Sequence, residues 1–148
     1  MTDAQISQQL REEYAKLKVL AGRVREWVGR PMGDGAWLAE YRKTFEHFRA
    51  HLHKQLALEE AGDFLPHVVA RRPTLSREVD HLREEHREIL SMADEMYTEL
   101  NQLQPGNTAG WEDCRLRLRH LLSAIDHHGR TENNLVVSVF GIDIGAGD

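Results

Sequence analysis

The chain contains one cysteine, Cys114, so no disulfide can form within it and nothing in the sequence calls for an oxidising compartment. It has no apolar run of bilayer-spanning length, and Met1–Ser7 lacks the basic and then apolar pattern of a secretory signal. A cytoplasmic protein without a membrane partner is therefore the expectation. Prolines are few and fall near the breaks of the chain, so the long segments between them are free to be helical. No basic run or tail stands out from the net charge of -5, which argues against a nucleic-acid partner. Nor is there a phosphate-binding loop or a nucleophile paired with a base, so no sequence feature names a substrate or a transfer reaction.

What is present is helix-forming composition in four long stretches. The 148 residues suit one domain with one continuous core. Breaks fall at residues 29–35, at Arg71-Arg72-Pro73-Thr74 and at Pro105-Gly106-Asn107, and an end signal starts at Gly141. Gly62 with Pro66 predicts a bend or stop in the second segment before a last turn or two. Each segment carries an inward stripe in steps of four and three. The stripes read Leu10, Tyr14, Leu17, Ala21, Val24, Val28; then Tyr41, Phe45, Phe48, Leu52, Gln55, Glu59; then Leu75, Val79, Leu82, His86, Ile89, Ala93, Met96, Leu100; and last Cys114, Leu118, Leu121, Ile125, His128, Glu132, Leu135. Short connections between four such helices predict an all-α, antiparallel up-down-up-down four-helix bundle spanning 1–148, with a C-terminal tail from about residue 137.

The polar residues on these stripes carry the functional signal: Tyr14, Gln55, Glu59, His86, His128 and Glu132. At about 1.5 Å rise per residue, His86 lies roughly 15 Å beyond the second break and Glu59 roughly 18 Å before it. His86 and His128 lie roughly 25 and 28 Å from the third break on the same scale. All should meet in one layer at mid-height. Gln55-x3-Glu59 and His128-x3-Glu132 share an i,i+4 step, and Tyr14 precedes Gln55 by 41 residues as His86 precedes His128 by 42.

Two carboxylates buried at one level need compensating positive charge, because each loses several kcal/mol of hydration. A metal ion supplies it, and imidazole with carboxylate suits iron, zinc or manganese. His86, His128 and Glu132 have the two-histidine, one-carboxylate composition of non-haem iron sites, with Glu59 to complete or bridge it. The alternative is a metal-free network in which protonated His86 and His128 pair with Glu59 and Glu132. Tyr14 reads as a core tyrosine and Gln55 as a hydrogen-bonding neighbour. Of the other histidines, His51 could reach the layer by a hydrogen bond, while His53, His67, His81, His120 and His127 should face solvent.

These residues bring out a family likeness. Leu10-Arg11-Glu12-Glu13-Tyr14, Gln55-Leu56-Ala57-Leu58-Glu59-Glu60, Leu82-Arg83-Glu84-Glu85-His86 and His128-Gly129-Arg130-Thr131-Glu132-Asn133 resemble the hemerythrin-like, HHE cation-binding domains. The resemblance covers nearly the whole chain. It implies a bundle that holds two non-haem irons, with oxygen or nitric oxide binding and sensing, iron handling or peroxide chemistry as associated functions. Glu59, His86, His128 and Glu132 match ligand positions of that family. Tyr14, Gln55 and Leu82 stand where the family has histidine, so the likeness implies one iron ion in place of two, zinc as an alternative metal, or a metal-free module kept for interaction or regulation.

Overall fold

The chemistry of the breaks sets the helix boundaries. In a computed structural model, which describes residues 2–61 and 64–141, five α-helices follow in order. Helix α1 (Asp3–Val28) opens on a reciprocal cap: the Thr2 hydroxyl accepts from the Gln5 N–H at 3.2 Å, and the Gln5 side chain accepts from the Thr2 N–H at 2.8 Å. Helix α2 (Gly35–Ala61) begins after Asp34, whose carboxylate accepts the Trp37 N–H at 2.9 Å. The short α3 (Phe64–Arg71) carries Pro66 in its first turn, where a missing N–H does no harm. A 3-10 turn over Pro73–Leu75 leads into α4 (Ser76–Gln102). Helix α5 (Thr108–Phe140) starts where the Asn107 side chain accepts the Gly110 N–H at 2.9 Å and stops at Gly141, whose φ of 69° is free of strain only without a side chain.

The four long helices expected from the stripes are α1, α2, α4 and α5. One boundary differs, that of the C-terminal tail. The bend or stop expected at Gly62 and Pro66 falls between α2, which ends at Ala61, and the two turns of α3, which begin at Phe64; Gly62 itself lies outside the described residues. Residues 137–140, expected in a tail, continue α5, because Val139 faces the core at 8% exposure and holds the last turn. The rest of that tail, 142–148, lies outside the described residues.

Cross-helix contacts fix the direction of each helix. Trp27 stacks on Tyr41 while Glu13 meets His51, so α1 and α2 run oppositely. Arg42 reaches the Leu100 carbonyl, Arg49 pairs with Asp94 and Glu60 with His86, which opposes α2 to α4. Glu99 with Arg117 and Glu85 with His128 oppose α4 to α5, and Val28 with Arg115 and Tyr14 with Gly129 oppose α5 to α1. The order around the bundle is α1, α2, α4, α5. Among the described residues no helix is long and apolar enough to cross a membrane.

The stripes are buried, apart from Leu10, Tyr14 and Leu75 at the margin. They form two apolar clusters. The larger runs from Leu17 and Leu56 to the rings of Trp27, Trp37, Tyr41 and Trp111, whose neighbouring centroids are 5.0–6.0 Å apart. The smaller joins Phe64, Leu65 and Val68 of α3 to Val79, Leu82, Leu135 and Val136. Between them lies the polar layer, nearer the C-terminal end of α2 than the mid-height expected.

Tyr41 is fully buried, and its hydroxyl has no hydrogen-bond partner. Burial pushes its pKa upward, so the hydroxyl stays neutral yet unsatisfied. Tyr41→Phe removes that unpaired group while keeping the ring contacts, and should raise the unfolding free energy by about 1 kcal/mol. Urea denaturation of the two proteins checks this; a comparable loss of stability would show that the hydroxyl is paired.

Candidate metal centre

Buried polar side chains need partners, and in this layer several lack them. Glu59 on α2, His86 on α4, and His128 and Glu132 on α5 are 1–4% exposed. One nitrogen or carboxylate oxygen from each lies within 4.8 Å of all the others. Two donors on opposite sides of one ion, with bonds of about 2.0–2.2 Å, stand about 4.0–4.4 Å apart. The space between the four groups therefore has the size that a single ion needs.

The orientation of the imidazoles is more specific than their spacing. His86 Nδ1 lies 3.0 Å from Glu60 Oε1, and His128 Nδ1 lies 2.7 Å from Glu85 Oε1. A carboxylate only accepts, so Nδ1 carries the proton in both rings. That leaves each Nε2 turned toward the centre: His86 Nε2 is 3.3 Å from Glu59 Oε2 and His128 Nε2 is 2.5 Å from Glu132 Oε1. Although close, neither Nε2 makes a hydrogen bond, and Glu59 Oε2 has none either. Short approach without hydrogen-bond alignment is the geometry of donor atoms aimed past one another at a common point. The two rings themselves stand 4.6 Å apart. The cluster is compatible with metal binding.

Electrostatics give the same picture from the carboxylates. Burial, then the charge and hydrogen bond of Glu132, push the Glu59 carboxyl well above its ordinary range, and His86 draws it back only in part. Burial pushes the Glu132 carboxyl up to about 7; a hydrogen bond with Glu59 restrains the rise and the Glu85 charge adds to it. Without a cation the pair holds a proton that a cation would displace.

Glu59, His86, His128 and Glu132 thus come together as the stripes predict. Gln55 is buried beside them, its Oε1 without a hydrogen-bond partner, and Tyr14 is half-buried with its hydroxyl over Gly129, where a Cβ would stand only 2.5 Å away. Leu82 lies in the smaller apolar cluster. His51 does not serve the layer: its Nε2 is 3.4 Å from the Glu13 carbonyl and 3.6 Å from the Glu13 carboxylate, because it sits on the α1–α2 seam. His53 and His67 are half-buried in place of exposed, His53 against Asp94 at 2.8 Å and His67 against the Phe140 ring. His81, His120 and His127 are exposed. The residues that sequence reasoning missed are Glu60 and Glu85. Each belongs to an acidic pair, Glu59-Glu60 and Glu84-Glu85, that reads in sequence as solvated surface.

The family model of the hemerythrin HHE cation-binding domain matches residues 5–140. The chain belongs to the hemerythrin family. No curated protein and no solved structure matches it. For a hemerythrin domain the buried acid and imidazole groups are of the kind that the family description names, cation-binding ones.

The raised Glu132 pKa makes the stability of the metal-free domain depend on pH. Below about 4.5, its ordinary value, folded and unfolded chains both hold this proton; between there and about 7 only the folded chain does. The stabilisation is thus fully present below 4.5 and is lost as pH rises through 7, by about 3 kcal/mol. Denaturant unfolding in chelator at several pH values, with Glu132→Gln as reference, measures it. A difference between the two proteins that stays constant across this range overturns the assignment.

Proposed function

We propose that this hemerythrin domain binds one non-haem metal ion, iron or alternatively zinc, through Glu59, His86, His128 and Glu132, and serves in oxygen or nitric oxide sensing or in iron and redox handling. The observation that carries the reading is the pair of imidazoles anchored at Nδ1 by Glu60 and Glu85 with bare Nε2 atoms facing two buried carboxylates. Carboxylates behind histidine ligands fix the tautomer and raise the basicity of the ligating nitrogen. Two neutral imidazoles and two carboxylates balance the charge of a divalent ion. Bound there, iron would supply redox chemistry and an open coordination position for a small molecule such as O2 or NO.

One ion is favoured over two by Tyr14, Gln55 and Leu82. A leucine cannot ligate, a glutamine amide is a weak ligand, and the half-buried tyrosine packs on Gly129. The second reading, a metal-free bundle kept for interaction or regulation, draws on the same three residues. It requires His86 and His128 to be protonated at Nε2, and the approach of both atoms to the Glu59 and Glu132 carboxylates without hydrogen-bond alignment speaks against it.

Chain purified without an affinity tag should carry about one metal equivalent, read by elemental analysis, and His86→Gln should lose it. Glu60→Gln and Glu85→Gln should keep the fold and weaken metal affinity about 10–100-fold. A metal-free protein whose melting temperature ignores added Fe2+, added Zn2+ and chelator sinks the reading, since a ligand at 100 times its Kd stabilises by about 2.7 kcal/mol.

A further inference from the structure

Next to the four-residue cluster, a cavity of about 70 Å3 opens between α1 and its neighbours. One water needs about 10–15 Å3 in such a space, so it has room for about five water-sized groups. Leu17, Leu52 and Ile125 contribute to an aliphatic wall, and the polar lining comes from Tyr14, Gln55, His128 and Glu132. Gln55 is only 5% exposed, and its Oε1 accepts no hydrogen bond. Such an atom demands a donor, because a buried acceptor left unpaired is costly. Gly129 shapes the space by admitting the Tyr14 ring at a distance that a Cβ would forbid.

The charge of the occupant follows from what surrounds it. Arg25 at the rim is already paired with Asp126 at 2.5 Å, and Lys18 at the rim is also engaged. An anion would therefore meet the Glu132 carboxyl with no uncommitted cation beside it. A small cation would compete with the metal for Glu132, and this step rests on the proposed metal site.

We propose that the cavity binds a small neutral molecule of about four or five non-hydrogen atoms that donates an N–H or O–H hydrogen bond to Gln55 Oε1 and lays its apolar part against Leu17, Leu52 and Ile125. The occupant shares His128 and Glu132 as walls with the metal centre, which makes it the molecule held beside the ion. The α1–α5 seam, the least densely contacted of the four around the bundle, provides its access.

Acetamide, acetone and acetate have the same shape and differ in donor and charge, which makes them suitable probes. Each is titrated into the full isotope-labelled chain in chelator and again in Zn2+-loaded chain, following NMR shifts of the Gln55 side-chain amide and its neighbours. Acetamide should saturate at millimolar concentration and bind about tenfold more tightly than acetone, with acetate no tighter than acetone in chelator. In Gln55→Leu the preference for acetamide should shrink to within about twofold. Equal binding of acetamide and acetone by the unaltered chain, preference for acetate in chelator, or no saturable shift with any probe overturns the proposal. The unaltered chain decides the matter even if Gln55→Leu fails to fold. Metal content of the Zn2+-treated sample separates the two readings: no bound zinc there, with the acetamide preference intact in chelator, removes the metal centre alone.

Discussion

Two carboxyl groups buried side by side, Glu59 and Glu132, are the constraint on which the rest of this molecule depends. Neither can be ionised in that layer without a positive partner, because the desolvation penalty is several kcal/mol per ion. Protonated histidines could balance the charge, and so could a metal ion. The distinction lies in where the imidazole protons are. Glu60 and Glu85 claim one proton from each ring at Nδ1, so a second proton on Nε2 would need Glu59 or Glu132 in hydrogen-bond alignment. Neither Nε2 has it. The outer carboxylates thus do more than hold the rings: they leave both inner nitrogens as electron-pair donors.

A polar layer in a small core weakens the packing around it, and the architecture answers by flanking it with apolar structure on both sides. The larger cluster ends in four indole and phenol rings at the far end of the bundle, a dense store of buried area. On the other side α2 ends at Ala61, immediately after the layer, and α3 supplies Phe64, Leu65 and Val68 as a floor.

Periodicity exposed the layer because Gln55, Glu59, His86, His128 and Glu132 violate otherwise apolar stripes, and burial is what makes such violations informative. Direction and order of the helices were also legible, since short breaks between long stripes leave little choice of topology. Glu60 and Glu85 escaped because they lie one residue off the stripes, at the seams between helices. There an acidic side chain is indistinguishable in sequence from a solvated one, and only the neighbouring helix tells them apart. His51 misled for the mirror-image reason: it flanks the stripe on the seam toward α1, where Glu13 and not the layer is within reach. The end of α2 was legible too, since Gly62 with Pro66 pointed to a bend or stop before a last turn or two.

Tyr14, Gln55 and Leu82, where the family likeness implies histidine, do not share one structural setting. Leu82 lies in the smaller apolar cluster at 1% exposure, as ordinary core. Tyr14 and Gln55 instead border a cavity, with a glycine at 129 preserving space for the ring and an amide oxygen left without a partner. Had these two positions only drifted toward a better-packed core, an aliphatic side chain at 55 would have filled the gap and removed the unpaired oxygen, as Leu82 does at its own position. A void and an unpaired buried oxygen, adjoining four ligand-type residues, are what an occupant would use.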